Sequence, residues 1–196
     1  MTAANPSLIL GSSSPFRKQL LETLGLAFDT CSPDIDESQL PKESPEELVK
    51  RLAVEKARAV AKTHPEALII SSDQVSVLDG QINGKPGTAE NAISQLINSS
   101  GKTVTFFTSL CLYDAINGDY QLDLVPFKVH FRQLSAEKIR RYVEKEQPFN
   151  CAGSFKSEGL GISLFERLEG DDPNSLIGLP LIKLVSFLEQ KGIQIP

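Results

Sequence analysis

The chain has 196 residues, of which 40% are hydrophobic and 23% are charged, and its net charge is −5. This size allows one substantial domain or two small lobes, and the acidic balance argues against a broad surface for a nucleic acid polymer. The apolar runs are much shorter than a membrane span, and the first residues predict no signal peptide. Three cysteines without CxxC spacing favour reduced thiols in a cytoplasmic protein.

The first predicted element is a short buried strand at residues 7–10, which a loop of small polar residues joins to a helix. Ser14 is the expected N-cap of this helix, and Pro15 occupies its first position. Free backbone N–H groups at a helix N-terminus can bind an anion, and an anionic partner would make Arg17 favourable in the first turn. The alternative is that Ser12 and Ser14 only cap the helix and that Arg17 is solvated.

An acidic segment, PDIDE, occupies residues 33–37 after a predicted second strand near residues 28–32. Its three carboxylates, Asp34, Asp36 and Glu37, could hold a divalent cation through oxygen ligands. The competing interpretation is a solvated acidic loop, which is the more frequent role of such a cluster.

A second helix is predicted from a capping box, with Ser44 as N-cap and Glu47 three residues later, to about Thr63. Lys56 interrupts the apolar stripe of this helix. An ammonium among apolar neighbours is unfavourable unless it is paired. Lys56 is therefore expected either to snorkel to the surface or to reach an anion in a cleft.

The stretch from Leu68 to Lys85 is the predicted centre of the molecule. A buried strand at residues 67–70 is followed directly by SSDQ, which places Asp73 at a strand end, where α/β proteins bind ligands. Asp79–Gly80 predicts a type I′ hairpin that would return Lys85 towards Asp73. A carboxylate and an ammonium at the end of a sheet suit phosphate and metal chemistry, although an incidental ion pair is the alternative.

The rest of the chain mixes strands and helices. A glycine-punctuated segment at residues 150–161 contains Lys156 and Glu158, and alternation along residues 121–132 places His130 on the solvent face. Crossover and hairpin connections both occur, which predicts an α/β fold with a mixed central β-sheet flanked by helices. Further elements are predicted as a helix from Thr88, a strand at 104–113, a turn at Asn117–Gly118, and helices from Ser135 and Pro180.

In their order and spacing, these motifs resemble the Maf family of nucleoside triphosphate pyrophosphatases. The resemblance spans Leu8 to Leu188 and rests on SSSPFR, DIDES, EKA, SSDQV, GKP, AGSFKSEG and GLP. It implies one domain over residues 1–196 with a cleft between two lobes. It also implies cleavage of a nucleotide between its α- and β-phosphates with a divalent metal (Mg²⁺, Mn²⁺ or Co²⁺), and it makes a homodimer plausible.

The resemblance also implies roles for particular residues. Asp73 is the implied catalytic carboxylate, and Asp36, Glu37 and Asp73 are the implied metal ligands. The implied phosphate site consists of Ser12, Ser14, Arg17, Lys56 and Lys85.

Two positions depart from the wider family: many members have Ala-Asp-Thr at residues 72–74 and Arg-Arg at residues 16–17. Phe16, Gln74 and Glu158 look like the subgroup that acts on 7-methylguanosine triphosphate, although Phe16 departs from a tryptophan at that position. N7-methylated guanine is cationic, so an aromatic ring adds a cation–π interaction to stacking. Glu158 would accept hydrogen bonds from its N1–H and N2 amine. The alternatives are a pyrophosphatase for other canonical or modified nucleotides, such as dTTP or UTP, and a non-catalytic nucleotide-binding regulator of cell division.

Overall fold

The computed structural model describes residues 7–195, and its strands within that range form one mixed eight-stranded sheet. The strands are β1 (Leu8–Leu10), β2 (Asp29–Thr30), β3 (Leu68–Ser71), β4 (Gln74–Leu78), β5 (Gln81–Asn83), β6 (Thr103–Asp114), β7 (Tyr120–Phe131) and β8 (Phe165–Glu169). The helices are α1 (Pro15–Glu22), α2 (Pro45–Ala61), α3 (Ala89–Ser99), α4 (Ala136–Glu146), α5 (Pro173–Ile177) and α6 (Leu181–Gln190).

Strand β6 organises the sheet because it pairs with three other strands. The strand order is β2-β1-β3-β6-β4-β5, and β7 and β8 extend from β6 off this path. β1 runs parallel to β2 and β3, and the remaining pairings are antiparallel. β3 and β4 follow one another along the same side of β6, since Ser71 pairs with Cys111 and Gln74 with Thr108. Asp73 therefore lies at the break between two strands.

The core lies on both faces of this sheet. One cluster joins α1 and α6 to β1, β3 and β6, and another packs α2 against residues of the same strands, including Ile9 and Ile69. A third cluster packs α3 and α4 against β6 and β7 around Phe106. The predicted α/β class, with a mixed sheet flanked by helices, is confirmed. The division of the domain into two lobes stays a prediction.

Helix α2 is fixed to the sheet by hydrogen bonds as well as by packing. Its predicted capping box is confirmed: the Glu47 backbone N–H donates to Ser44 Oγ at 3.2 Å, and the Ser44 N–H donates to Glu47 Oε2 at 2.8 Å. Two buried serines donate from the strands to carbonyls of α2, Ser71 to Ala53 O at 2.7 Å and Ser109 to Val49 O at 2.6 Å. These contacts fix the helix that carries Lys56.

The hairpin between β4 and β5 forms as predicted. Asp79 and Gly80 have φ angles of 51° and 79°, both left-handed, as a type I′ turn requires. Ser76 pairs with Asn83 and Leu78 with Gln81, so the return strand leads back towards the start of β4. Lys85 consequently follows β5 at the same end of the hairpin as Asp73.

Two elements were missed by the sequence analysis. β8 is a five-residue strand on β7, and α5 is a five-residue helix that begins after the N-cap Asp172. Both are short, so their periodicity is weak. The predicted solvent-side position of His130 is confirmed, since its ring contacts Thr103 and Glu169 outside the cleft described below. No helix in residues 7–195 is long and apolar enough to cross a membrane.

Candidate active site

A cleft of about 660 Å³ opens beside the break between β3 and β4. It brings together the residues that the family resemblance implies for the site, except Asp36, and Asp34 of the acidic segment also lies outside its lining. We use the name charged group for the ionisable residues of the cleft to which phosphate and metal chemistry are predicted. We use the name Phe16 group for the three residues that are predicted to contact the nucleobase. The charged group is Arg17, Glu37, Lys56, Asp73 and Lys85, and the Phe16 group is Phe16, Gln74 and Glu158.

A buried ion pair lies at the centre of the charged group. Lys56 Nζ donates to Asp73 Oδ1 at 2.6 Å and lies 3.0 Å from Glu37 Oε1. The side chains of Lys56 and Asp73 are only 8% and 9% exposed, whereas that of Glu37 is 55% exposed. Lys56 therefore meets an anion in a cleft, and the snorkelling alternative is wrong.

Strand β6 fixes the backbone of Asp73. The Asp73 N–H donates to Ser109 Oγ at 3.2 Å, and the Ser109 N–H donates to the Asp73 carbonyl at 2.9 Å. Ser109 also donates to α2, as described above. The carboxylate and the helix that supplies its ammonium partner are thus held through the same serine.

Arg17 enters the cleft from the first turn of α1. Its Nε donates to the Gly178 carbonyl at 2.8 Å, and this contact with the C-terminal end of α5 holds the guanidinium in place. Burial lowers the pKa of Arg17 from its usual value, while the negative charges of Asp73 and Glu37 raise it. A guanidinium keeps its charge in proteins, so Arg17 contributes a fixed cation to the cleft.

The loop before α1 forms the predicted helix cap. The Ser14 N–H donates to Ser12 Oγ at 3.1 Å, and the Arg17 N–H donates to Ser14 Oγ at 3.3 Å. In both contacts the serine oxygen accepts, so each hydroxyl keeps its own proton to donate. Capping and anion binding are therefore compatible at Ser12 and Ser14.

Lys85 lines the same cleft as Asp73, as the hairpin predicts, but it is solvent-exposed. Lys56, and not Lys85, makes the contact with Asp73. Lys85 thus adds positive charge at the solvent side of the cleft.

The three residues of the Phe16 group come from separate segments. Phe16 is half-buried on α1, and Glu158 is exposed on the glycine-punctuated loop, where Ser157 Oγ lies 3.4 Å from its Oε2. Gln74 donates through its Nε2 to Thr108 Oγ1 at 2.9 Å and to the Ser175 carbonyl at 2.8 Å. An aromatic ring and a carboxylate therefore line the same cleft, beside a restrained amide.

The number and proximity of the carboxylates in the cleft fit a divalent cation. Mg²⁺ is usually bound by one or two carboxylates together with substrate phosphates, and Asp73 and Glu37 both contact the same ammonium. Asp36 instead is exposed, and hydrogen bonds from Ser38 lower its pKa. Within residues 7–195, no group of three or more His, Cys, Asp or Glu side chains is placed to hold a metal.

Two features of the cleft were not predicted from the sequence. Cys151 lines it, and burial raises the pKa of this thiol to about 11, so that it is protonated at neutral pH. The carbonyls that follow Asp172 accept hydrogen bonds from Arg17 and Gln74, and Ser72 Oγ also donates to the Gly178 carbonyl at 2.8 Å. Backbone carbonyls carry no residue-specific signal, so the sequence could not reveal these contacts.

Fold and site together define an α/β protein with a cleft that is lined by cationic side chains and contains a buried carboxylate. The model of the Maf-like protein family matches residues 7–191, and the chain belongs to this family, as its motifs predict. The chain is 58% identical over 196 residues to a 7-methyl-GTP pyrophosphatase of Alcanivorax borkumensis, with both chains covered completely. It is 57% identical over 191 residues to one of Pseudomonas aeruginosa, which covers 97% of this chain and 100% of the relative. A relative of the same name from Colwellia psychrerythraea is 58% identical over 190 residues, 96% of this chain and 94% of the relative.

Proposed function

We propose that this chain is a nucleoside triphosphate pyrophosphatase that hydrolyses 7-methyl-GTP to 7-methyl-GMP and diphosphate, which removes a modified nucleotide. The observation that carries the proposal is the convergence of the charged group and the Phe16 group on one cleft. The relatives described above carry the same substrate in their names.

In this reaction Asp73 is the general base. Its Oδ1 contacts Lys56, and its Oδ2 has no hydrogen-bond partner among residues 7–195, so Oδ2 is the oxygen available to a water molecule. The water molecule transfers a proton to Asp73 as the water oxygen bonds to the α-phosphorus. The anhydride bond between the α- and β-phosphates then breaks, and diphosphate leaves.

The cations of the charged group bind the triphosphate. Arg17, Lys56 and Lys85 present three positive charges, and Ser12 and Ser14 add hydroxyl protons. Groups fixed in advance against developing negative charge lower an activation barrier because they need no reorganisation during the reaction. Burial of Lys56 strengthens this effect by excluding water from its surroundings.

A divalent cation is part of the proposal, as Mg²⁺, Mn²⁺ or Co²⁺. Asp73 and Glu37 would hold it through carboxylate oxygens, and Asp36 stays outside the cleft lining. When bound, the ion neutralises charge on the triphosphate oxygens. We further propose a cytoplasmic enzyme, since the three cysteines are free and suit a reducing compartment. A homodimer is proposed from the family resemblance alone.

The Phe16 group selects the base. Phe16 stacks on the cationic methylated purine, and Glu158 accepts hydrogen bonds from its N1–H and N2 amine. Gln74 adjoins Asp73 in the chain and so links base recognition to the catalytic residue. Uracil and thymine lack both the positive charge and the amine.

The test is diphosphate release from a panel of 7-methyl-GTP, GTP, UTP and dTTP with a divalent metal. We expect the highest kcat/KM for 7-methyl-GTP, and a rate loss of ~10²–10⁴-fold in Asp73→Asn, because the amide cannot accept the proton. Circular dichroism should show that this variant is folded. A preference for UTP or dTTP would favour the alternative substrate class, and binding without turnover would favour the regulator.

A further inference from the structure

The Gln74 side-chain amide is surrounded by hydrogen-bond acceptors. Its Nε2 lies 2.9 Å from Thr108 Oγ1, 2.8 Å from Ser175 O and 3.2 Å from Leu176 O. Thr108 Oγ1 in turn donates to the same Ser175 carbonyl at 2.8 Å. Thr108 is fully buried in the middle of β6.

This arrangement fixes which end of the amide points inward. The two carbonyls can only accept, and the single hydroxyl proton of Thr108 is already donated to Ser175 O, so the hydroxyl oxygen can only accept from Gln74. The NH₂ group must therefore face these three atoms. The usual ambiguity between amide O and N is resolved by the chemistry of the neighbours.

The carbonyl end of the same amide remains free for a ligand. Gln74 Oε1 makes no hydrogen bond within residues 7–195, and no fully enclosed polar side-chain atom in that range lacks a partner. Oε1 is therefore accessible, and Gln74 lines the cleft. The group that Gln74 offers to a ligand is an acceptor.

The carbonyls that hold Gln74 belong to α5, and the residue that caps the C-terminus of α5 serves the charged group. Gly178 O accepts from Arg17 Nε at 2.8 Å. Asp172 is the N-cap of α5: it is 3% exposed, its Oδ1 accepts from the Asn174 N–H, and its Oδ2 accepts from the Ile182 N–H of α6. One short helix with its caps thus orients a residue of each group.

We propose that Thr108 and the carbonyls of residues 175–178 are positioning elements that fix Gln74 as a hydrogen-bond acceptor, so that the site selects a purine bearing an amino group over one without it. The inference rests on the proposed function and adds the feature of the base that is recognised. The 2-amino group of guanine carries two hydrogens, so it can donate one to Glu158 and the other to Gln74 Oε1. Hypoxanthine, which lacks this group, would leave Oε1 without a partner. An unmade hydrogen bond of this kind costs ~2–10-fold in selectivity.

The test compares diphosphate release from 7-methylguanosine and 7-methylinosine triphosphates, which differ only in the 2-amino group. We expect the wild type to prefer the amino-bearing nucleotide in kcat/KM, mainly through KM. Thr108→Val keeps the shape but removes the hydroxyl, and it should at least halve this preference. Thr108→Ser keeps the hydroxyl and should restore it.

Equal kcat/KM for the two nucleotides in the wild type would overturn the inference, and so would a preference that Thr108→Val leaves unchanged. Absence of diphosphate release from both nucleotides would instead contradict the proposed function. An NMR measurement on the wild type does not depend on turnover or on folding of the valine variant. The Gln74 side-chain amide protons, assigned by their loss in Gln74→Met, should exchange with solvent more slowly than those of the exposed Gln19. Equal exchange rates would also overturn the inference.

Discussion

The charged group and the Phe16 group share one cleft, but they are restrained to very different degrees. Lys56 and Asp73 are almost fully buried and contact each other, with Glu37 beside them. Among residues 7–195, Gln74 is the one member of the other group whose side chain makes several hydrogen bonds, while Glu158 is exposed and hydrogen-bonds to its neighbour Ser157. The proposed chemistry thus depends on groups that the fold holds in place, and the proposed base selection depends largely on groups that can adjust to a ligand.

The difference has an energetic consequence. Removing one partner from a buried ion pair leaves an uncompensated charge, which is strongly destabilising, whereas exposed charges contribute little to stability. Substitutions in the charged group should therefore affect both folding and rate. Substitutions in the Phe16 group should change selectivity at nearly constant stability.

Lys56 and Lys85 compare a buried and an exposed lysine of the same cleft, and the largest effect on stability and rate is expected at Lys56. Lys56→Met should lower the unfolding free energy by about 3–5 kcal/mol, because Asp73 is left buried without its cation. It should also reduce kcat by ~10²–10³-fold, by analogy with loss of an oxyanion donor. Urea denaturation and steady-state kinetics measure the two effects.

Lys85→Met is the matched control, since the same atoms are removed at an exposed position in the same cleft. We expect its unfolding free energy to stay within about 0.5 kcal/mol of the wild type while its activity falls. An equal loss of stability in the two variants would mean that burial does not distinguish them. Unchanged activity in Lys85→Met would remove Lys85 from the phosphate site.

An intermediate effect is expected at the aromatic ring. Phe16→Ala should lower the preference for 7-methyl-GTP over UTP by ~10-fold, because the cation–π and stacking contributions are lost. Phe16→Tyr keeps the ring and should retain the preference. The measurement is the ratio of kcat/KM values for the two nucleotides.

Glu158→Gln sharpens the same comparison, because it removes the negative charge and keeps the size of the side chain. The ratio should fall, while diphosphate release that depends on Asp73 stays measurable. A ratio that survives both Phe16→Ala and Glu158→Gln would place base selection elsewhere in the cleft.

The smallest effect is expected outside the cleft, at Glu43. Hydrogen bonding to Arg51 of α2 lowers the pKa of Glu43 from 4.5 to about 2, and Arg51 also donates to Ser38 O, one residue after Glu37. The pair therefore tethers the acidic loop to the helix that carries Lys56. Glu43→Gln should slightly lower the midpoint of urea denaturation at pH 7 and leave base selectivity unchanged.

The pH dependence of this small effect has a defined sign. Because the pKa of Glu43 is lower in the folded than in the unfolded state, the pair stabilises the protein fully above pH 4.5 and loses its effect as the pH falls towards 2. The midpoints of the wild type and Glu43→Gln should converge over that range. A difference that persists at pH 2 would show that the contact acts through packing.

The features predicted best from the sequence are those fixed by local chemistry. The Ser14 cap, the Ser44–Glu47 box and the Asp79–Gly80 turn all form as expected, because each depends on residues at most three positions apart. The partner of Lys56 could not be derived in this way, because a lysine in an apolar stripe fits both a surface and a cleft position. Only the docking of α2 on the sheet decides between them.

The hydrogen bonds of the Gln74 side chain are still harder to predict from the sequence. They join residues 101 and 102 positions apart in the chain, and the acceptors are main-chain carbonyls that any residue would supply. α5, which provides both carbonyls within its five residues, is too short to show a helical period. Family resemblance could name Gln74 as a specificity residue, but not which of its atoms faces the ligand.

The two serine contacts to α2 set a dimension of the active site from outside it. Val49 and Ala53 lie one helical turn apart, and Ser109 and Ser71 hold their carbonyls from two neighbouring strands. A helix displaced along its axis by the rise of one residue, about 1.5 Å, would misalign both hydrogen bonds. Small apolar side chains such as Ala53 resist such sliding weakly. The separation of Lys56 from Asp73 is therefore governed by the axial position of a helix on a sheet, which two serines outside the cleft hold in place.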